Sequence, residues 1–240
     1  MESSRYLEAL SEESGAFFDA VAKTTLDAPV PSCPDWTVDD LVYHLGEVHY
    51  FWGEVAARHL AEPDVSDPVR PGADHIVGWA LEQAATLQRV LSHANPATPV
   101  WTWSTQNDIA FIIRRMAQET AVHRWDAQRA AGVPEPIEAE LASDGIDEFL
   151  TLFFAHPKMG SGSVGGSVHV HATDTPGEWL VEETDDGVTV TAQHAKGDAA
   201  LRGTANDLLL ALWRRVGPDA LEVIGDRDVA ERFLSRTSLD

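Results

Sequence analysis

Apolar residues recur at helical spacing through roughly the first 130 residues, then at every second position beyond about residue 165. One kind of element cannot serve both periods, since a helix aligns residues three and four apart and a strand aligns alternate ones. The chain therefore divides into a helical half and a half that holds a sheet. In residues 3–24, Leu7, Leu10, Phe17, Phe18 and Val21 fall near helical spacing. The proline-broken stretch "DAPVPSCPDW" follows, and Thr37 with Asp40 three residues on has the shape of a capping box. A second helix over about 38–60 puts Leu41, Leu45, Val48, Trp52 and Val55 on one face, and a third over about 74–93 ends at "NPATP". The loop 95–107 carries Trp101 and Trp103, and Asn107 or Asp108 can cap a fourth helix that stops at Gly132 and Pro134. Four helices of about 20 residues suit a four-helix bundle.

After "GVPEP" one more helix is expected over about 138–155, followed by the Gly/Ser-rich "GSGSVGGS". "SVHVHAT", "EWLVEET" and "GVTVTAQ" then alternate apolar with polar around "DTPG" and "DDG" turns, as an antiparallel meander does. Thr204 caps a helix, "LEVIG" reads as a short strand, and a last helix spans about 226–235. The expectation is an N-terminal all-α four-helix bundle over residues 1–136 and a small α+β domain with an antiparallel sheet over 137–240.

Seventeen Lys+Arg against 39 Asp+Glu give a net charge of −22, which repels phosphate backbones and argues against nucleic acid as a partner. No basic amphipathic segment points to an anionic membrane surface. The single cysteine, Cys33, rules out an intrachain disulfide and a Cys-based zinc knuckle. "MESSRYLEAL" lacks the features of a signal peptide, and the apolar run "LLLALW" is far shorter than a membrane span, so a cytoplasmic location is expected. A monomer or weak homodimer is expected, because each half can bury its own apolar face.

The fourth helix holds an anomaly. Centred on Met116, its apolar face takes in Ile109, Ile112, Ile113, Ala127 and Ala130, and also Glu119 and His123. Buried charge is costly unless paired or bound. Glu-x-x-x-His is metal-ligand spacing, one turn apart on one face. It is equally the spacing of an ion pair, with Glu119 on Arg115 and His123 on Glu119 or Asp126. His44, on the flank of the second helix's apolar stripe, tips the balance, since ligands in a bundle converge from facing helices. His44, Glu119 and His123 make a His₂Glu set, a zinc first shell with a fourth position open; nickel, cobalt, manganese and iron(II) also accept such donors.

Other candidates carry less. His49 fits a satisfied core or surface histidine, and His169 and His171, alternating with valines, are expected to face solvent. HExxH, GxSxG, GxGxxG and P-loop motifs are absent. Cys33 has no evident base beside it, which favours a structural role. Phe51, Trp101 and Trp103 could wall a pocket.

"VPSCPDWTVDDLVYHLGEVHYFW", "RRMAQETAVHRWDAQ" and the stretch from "HVHATDTPGEWLVEE" to "HAKGDAALRGTANDLLLALWRR" resemble the mycothiol-dependent maleylpyruvate isomerase family. The resemblance implies a DinB-like metal-binding bundle and a sterol-carrier-like C-terminal domain. It carries the metal ligands onto His44, Glu119 and His123, and a ligand-binding, catalytic arginine onto Arg215. It also implies a zinc site for mycothiol, the low-molecular-weight thiol of actinobacteria, as cosubstrate to a small electrophile. The enzyme would be an isomerase or an S-transferase. A non-catalytic, metal-containing protein that binds a small molecule is the alternative of a different class.

Overall fold

A computed structural model describes residues 1–156, 163–185 and 187–236. Contacts divide the chain into two compact units, Met1–Pro136 and Ile137–Asp240. The start of the Gly/Ser-rich stretch and Asp186 of the "DDG" turn lie outside the described residues.

In the first unit, helices α1 (Ser3–Val21), α2 (Val38–Arg58), α3 (Ala73–His93) and α4 (Ile109–Ala130) form a bundle. α1 lies along α4 and α2 along α3, with α2–α4 and α1–α3 contacts closing the ring. Phe17, Leu41, Leu45, Ile76 and Ala127 belong to one fully buried cluster between them. α2 approaches α3 closely at Gly46, where a Cβ would stand 2.4 Å from the Trp79 ring. The expected capping box is formed: the Thr37 hydroxyl accepts from the Asp40 amide, and the Asp40 carboxylate accepts from the Thr37 amide at 3.0 Å. Asp108, the second of the two expected caps, starts α4 by accepting from the Phe111 amide at 3.0 Å. α4 is buried well beyond the one face its apolar pattern marks, with 17 of its 22 residues inaccessible.

In the second unit, α5 (Ala139–Glu148) runs straight into a wider π-helical turn, Phe149–Phe154, where a single α-helix was expected. Strands β1 (Ser167–Ala172), β2 (Glu178–Thr184) and β3 (Gly187–Thr191) form the expected antiparallel meander. β4 (Ala199–Gly203) was not expected. It pairs in parallel with β1, and β5 (Glu222–Gly225) pairs antiparallel with β4, so the sheet order is β3-β2-β1-β4-β5. "AALRG" is short and lacks clean alternation, which leaves it no strand signal of its own. Val168, Val170, Trp179, Val181 and Leu201 share the buried face. Helices α6 (Ala205–Leu212), capped by Thr204, and α7 (Arg227–Ser235) lie against β1 and β4. His169 corrects an expectation: it is 7% exposed, because a neighbouring glutamate and two further histidines cover it.

The Asp40 carboxyl is held at about 2, against 3.8 ordinarily, chiefly by the Thr37 hydroxyl, then by the Thr37 amide and Arg70. A folded value below the unfolded one means stability that is complete above about pH 4 and lost as the pH falls toward 2. Asp40→Ala is expected to cost about 1 kcal/mol at neutral pH, a figure reduced for the group's partial exposure. In urea titrations the gap between variant and parent should close near pH 2, and a gap that persists there would contradict this assignment.

Candidate metal centre

Three side chains predicted from sequence as one set meet between α2 and α4. Glu119 sits mid-way along α4, and His123 follows one turn later on the same face. His44 comes from the second turn of α2, whose start the Thr37 cap fixes. Glu119 Oε1 lies 3.2 Å from His44 Nε2 and 3.1 Å from His123 Nε2. Its other oxygen, Oε2, accepts from Arg115 one turn earlier on α4. The ion-pair partners weighed in the sequence are thus present together with the ligand-type convergence.

A further layer holds these groups in place. His123 Nδ1 is 3.0 Å from an Asp126 carboxylate oxygen, and Ser32 donates to the other Asp126 oxygen at 2.6 Å. Trp36 lies against both imidazoles, with ring centroids 4.9 Å from His44 and 6.2 Å from His123. The two imidazoles meet edge to face at 4.9 Å. His49, five residues further along α2, is buried, and its Nε2 shares a 2.9 Å hydrogen bond with the Thr120 hydroxyl on α4. Ser32 and Trp36 come from the loop before α2, about 90 residues from their partners on α4, and no sequence period points to them.

Electrostatics bind the set together. Burial alone would raise the Glu119 carboxyl, but the Arg115 charge and the two histidines outweigh it and hold Glu119 well below the usual range. Burial would lower His123, yet the charges and hydrogen bonds of Glu119 and Asp126 carry it up to about 9. His49 is pushed the other way, to about 4, by burial foremost.

Two family models match the chain: the mycothiol maleylpyruvate isomerase N-terminal domain over residues 7–128 and the MDMPI C-terminal domain over residues 140–232. The chain belongs to the mycothiol maleylpyruvate isomerase family. Solved structures of a mycothiol-dependent maleylpyruvate isomerase and of its histidine-to-alanine mutant share the fold. Each has a TM-score of 0.61 at 10% identity, covering 93% of both chains. No curated protein matches the sequence.

Beside His44, this member of the isomerase family has a cavity of about 260 Å³, also lined by Val48, Phe51, Trp52, Val65 and Pro68. Of the aromatic residues expected to wall a pocket, Phe51 does so. Trp101 instead stacks on Trp52 with centroids 6.0 Å apart, and Trp103 packs edge-on against Phe111. Arg215 lies in the second unit, just after α6 and the left-handed Arg214 (φ 57°). It donates to the Trp213 carbonyl at 2.9 Å, with its guanidinium 6.0 Å from the Trp213 ring.

The burial of Glu119 and Arg115 has a measurable consequence. In chelator-treated protein, Glu119→Ala is expected to cost about 3 kcal/mol, because it removes the carboxylate that Arg115 and both imidazoles share. His44→Ala, at a more exposed position, should cost less than about 1 kcal/mol. Urea unfolding checks the contrast, and equal losses would contradict it.

Proposed function

We propose that this chain is a mycothiol-dependent isomerase or S-transferase whose centre is a divalent metal held by His44, Glu119 and His123. One observation carries this reading: two imidazole Nε2 atoms and one carboxylate oxygen converge at 3.1 and 3.2 Å, from helices that face each other. Such separations suit donors that share one small cation, since zinc bonds of about 2.0–2.2 Å in tetrahedral array put ligands roughly 3.4 Å apart. The contact of His123 Nδ1 with Asp126 is the carboxylate–histidine arrangement that orients a metal-ligating imidazole. His₂Glu suits zinc and leaves a position free for a thiol. A bound zinc ion supplies a Lewis acid that favours the thiolate form of mycothiol at neutral pH.

The chain's own groups do the rest. Asp126, itself held by Ser32, aims His123 Nε2 at the centre. Arg115 balances the Glu119 carboxylate, which keeps it a ligand and not a general base. Trp36 covers both imidazoles on one side and limits water there. The cavity beside His44 is lined mainly by apolar and aromatic side chains and has room for a small electrophile. In the isomerase reading, the sulfur of mycothiol adds to an activated cis double bond, and the electron pair moves onto the conjugated carbonyl oxygen. Rotation then occurs about the new single bond. Return of the pair expels the thiolate and leaves the trans product. In the transferase reading the adduct is protonated and released. Arg215 is proposed to bind an anionic group of the substrate, for which a guanidinium is well shaped.

His123→Ala is expected to lose both zinc and thiol-dependent turnover while keeping its helical circular dichroism. Asp126→Asn should retain the site but weaken zinc about 10–100-fold. Elemental analysis, zinc competition with a chromogenic chelator and turnover of a panel of electrophiles with mycothiol measure these effects. Full turnover by metal-free His123→Ala protein would overturn the proposal.

A further inference from the structure

The second unit carries another group of ligand-type side chains, on the sheet face opposite its core. In β1, His169 and His171 alternate with buried Val168 and Val170 and so share the outer face. Strand register sets Glu178 of β2 directly opposite His171, on that same face. His194 reaches the group from the segment after β3. The Glu178 carboxylate lies 3.0 Å from His169 Nε2, 3.3 Å from His171 Nδ1 and 2.5 Å from His194 Nδ1. The imidazoles pack edge to face around it, with centroids 5.3 Å apart for His169 and His194 and 5.7 Å for His169 and His171. One donor atom from each of the four residues lies within 4.8 Å of all the others. Among the described residues, only this group and the one at Glu119 meet that condition with three or more such side chains.

Three of the ten histidines thus gather on one carboxylate. Three imidazolium ions around one glutamate would leave two positive charges uncompensated, whereas three neutral imidazoles and a carboxylate are a donor set for a borderline divalent cation. Tetrahedral zinc needs donors roughly 3.4 Å apart. The contacts of His169 and His171 with Glu178 fall near that separation, and that of His194 is shorter. The His194 side chain is 80% exposed, so rotation can adjust the position of its own donor atom.

We propose that His169, His171, Glu178 and His194 form a second metal site, for zinc or a similar imidazole-preferring divalent ion. Four protein ligands close the coordination sphere, so the site is structural and has no share in the chemistry at Glu119. It ties the segment after β3 to the β1–β2 pair. Four residues beyond His194 the segment is already anchored, where Asp198 accepts from the Ser167 amide and hydroxyl, each at 2.8 Å.

The test uses untagged full-length protein, stripped with a chelator and titrated with zinc alone, so that the two centres can be counted separately. The His44→Ala variant, disabled at the first centre, is expected to retain one zinc equivalent. Adding His171→Asn and His194→Ala should remove that equivalent, with far-UV circular dichroism unchanged. Either change alone should weaken it by more than the roughly 10–100-fold that follows loss of an outer-shell partner. His194 is an exposed residue outside the strands, so its replacement leaves the fold intact and isolates the ligand effect. Cobalt bound in place of zinc should give the intense visible absorption of a four-coordinate site. A His44→Ala protein that binds no zinc, or an equivalent that survives in the triple variant, would overturn the site.

Discussion

A largely enclosed carboxylate at the middle of α4, its side chain 17% exposed, sets the terms for the whole first unit. Glu119 is surrounded by helices, and a lone carboxylate there would cost several kcal/mol. Its two oxygens divide the compensation, one taking Arg115 from its own helix and the other taking His123 and His44. The His44 contact requires α2 to lie at one height and one rotation against α4. That height follows from where α2 begins, which the Thr37–Asp40 cap fixes six residues before His44. The close approach at Gly46 lets the opposite side of α2 seat against Trp79 of α3. Local chemistry at a helix start is in this way linked to the geometry of a site one to two turns away.

Much of this was legible because helical periodicity is a strong signal over 20-residue segments. Glu119 and His123 stood out as polar residues in the apolar stripe of α4, and His44 as a flank residue on the facing helix. The partners that hold them were legible only where they are near in sequence. Arg115 and Asp126 lie one turn away and could be named, whereas Ser32 and Trp36 reach α4 from a distant loop. The burial of α4 on nearly all sides was not legible either, since residues such as Gln118, Arg124 and Gln128 are covered despite their polarity. Arg124 accounts for itself by bonding Glu13, Gln128 and the carbonyl of Glu135.

The sheet half shows where alternation misleads. Strand period places His169 and His171 opposite the valines, and that part of the expectation holds. The step from "opposite the core" to "in solvent" fails for His169, because a cross-strand glutamate and a histidine from beyond β3 gather over it. Cross-strand neighbours depend on register, which a single sequence does not display. β4 escaped for a related reason: five residues without clean alternation become a strand by pairing between β1 and β5. Both surprises in the sheet come from non-local pairing, whereas the helical half was governed by spacing within one segment.

The two histidine-rich centres differ in what their neighbours allow. At Glu119 the donors number three, beside a cavity, with a carboxylate and a guanidinium behind them. At Glu178 they number four on an outer sheet face, which suits a closed structural ion. The most direct test of the central claim is an anomalous-scattering experiment at the zinc edge on crystals of the zinc-loaded protein. The account predicts a peak within about 2.0–2.2 Å of His44 Nε2, His123 Nε2 and a Glu119 oxygen. A map with no density there, and with Glu119 still bonded to both histidines and Arg115, would contradict it and return the trio to an ion-pair network.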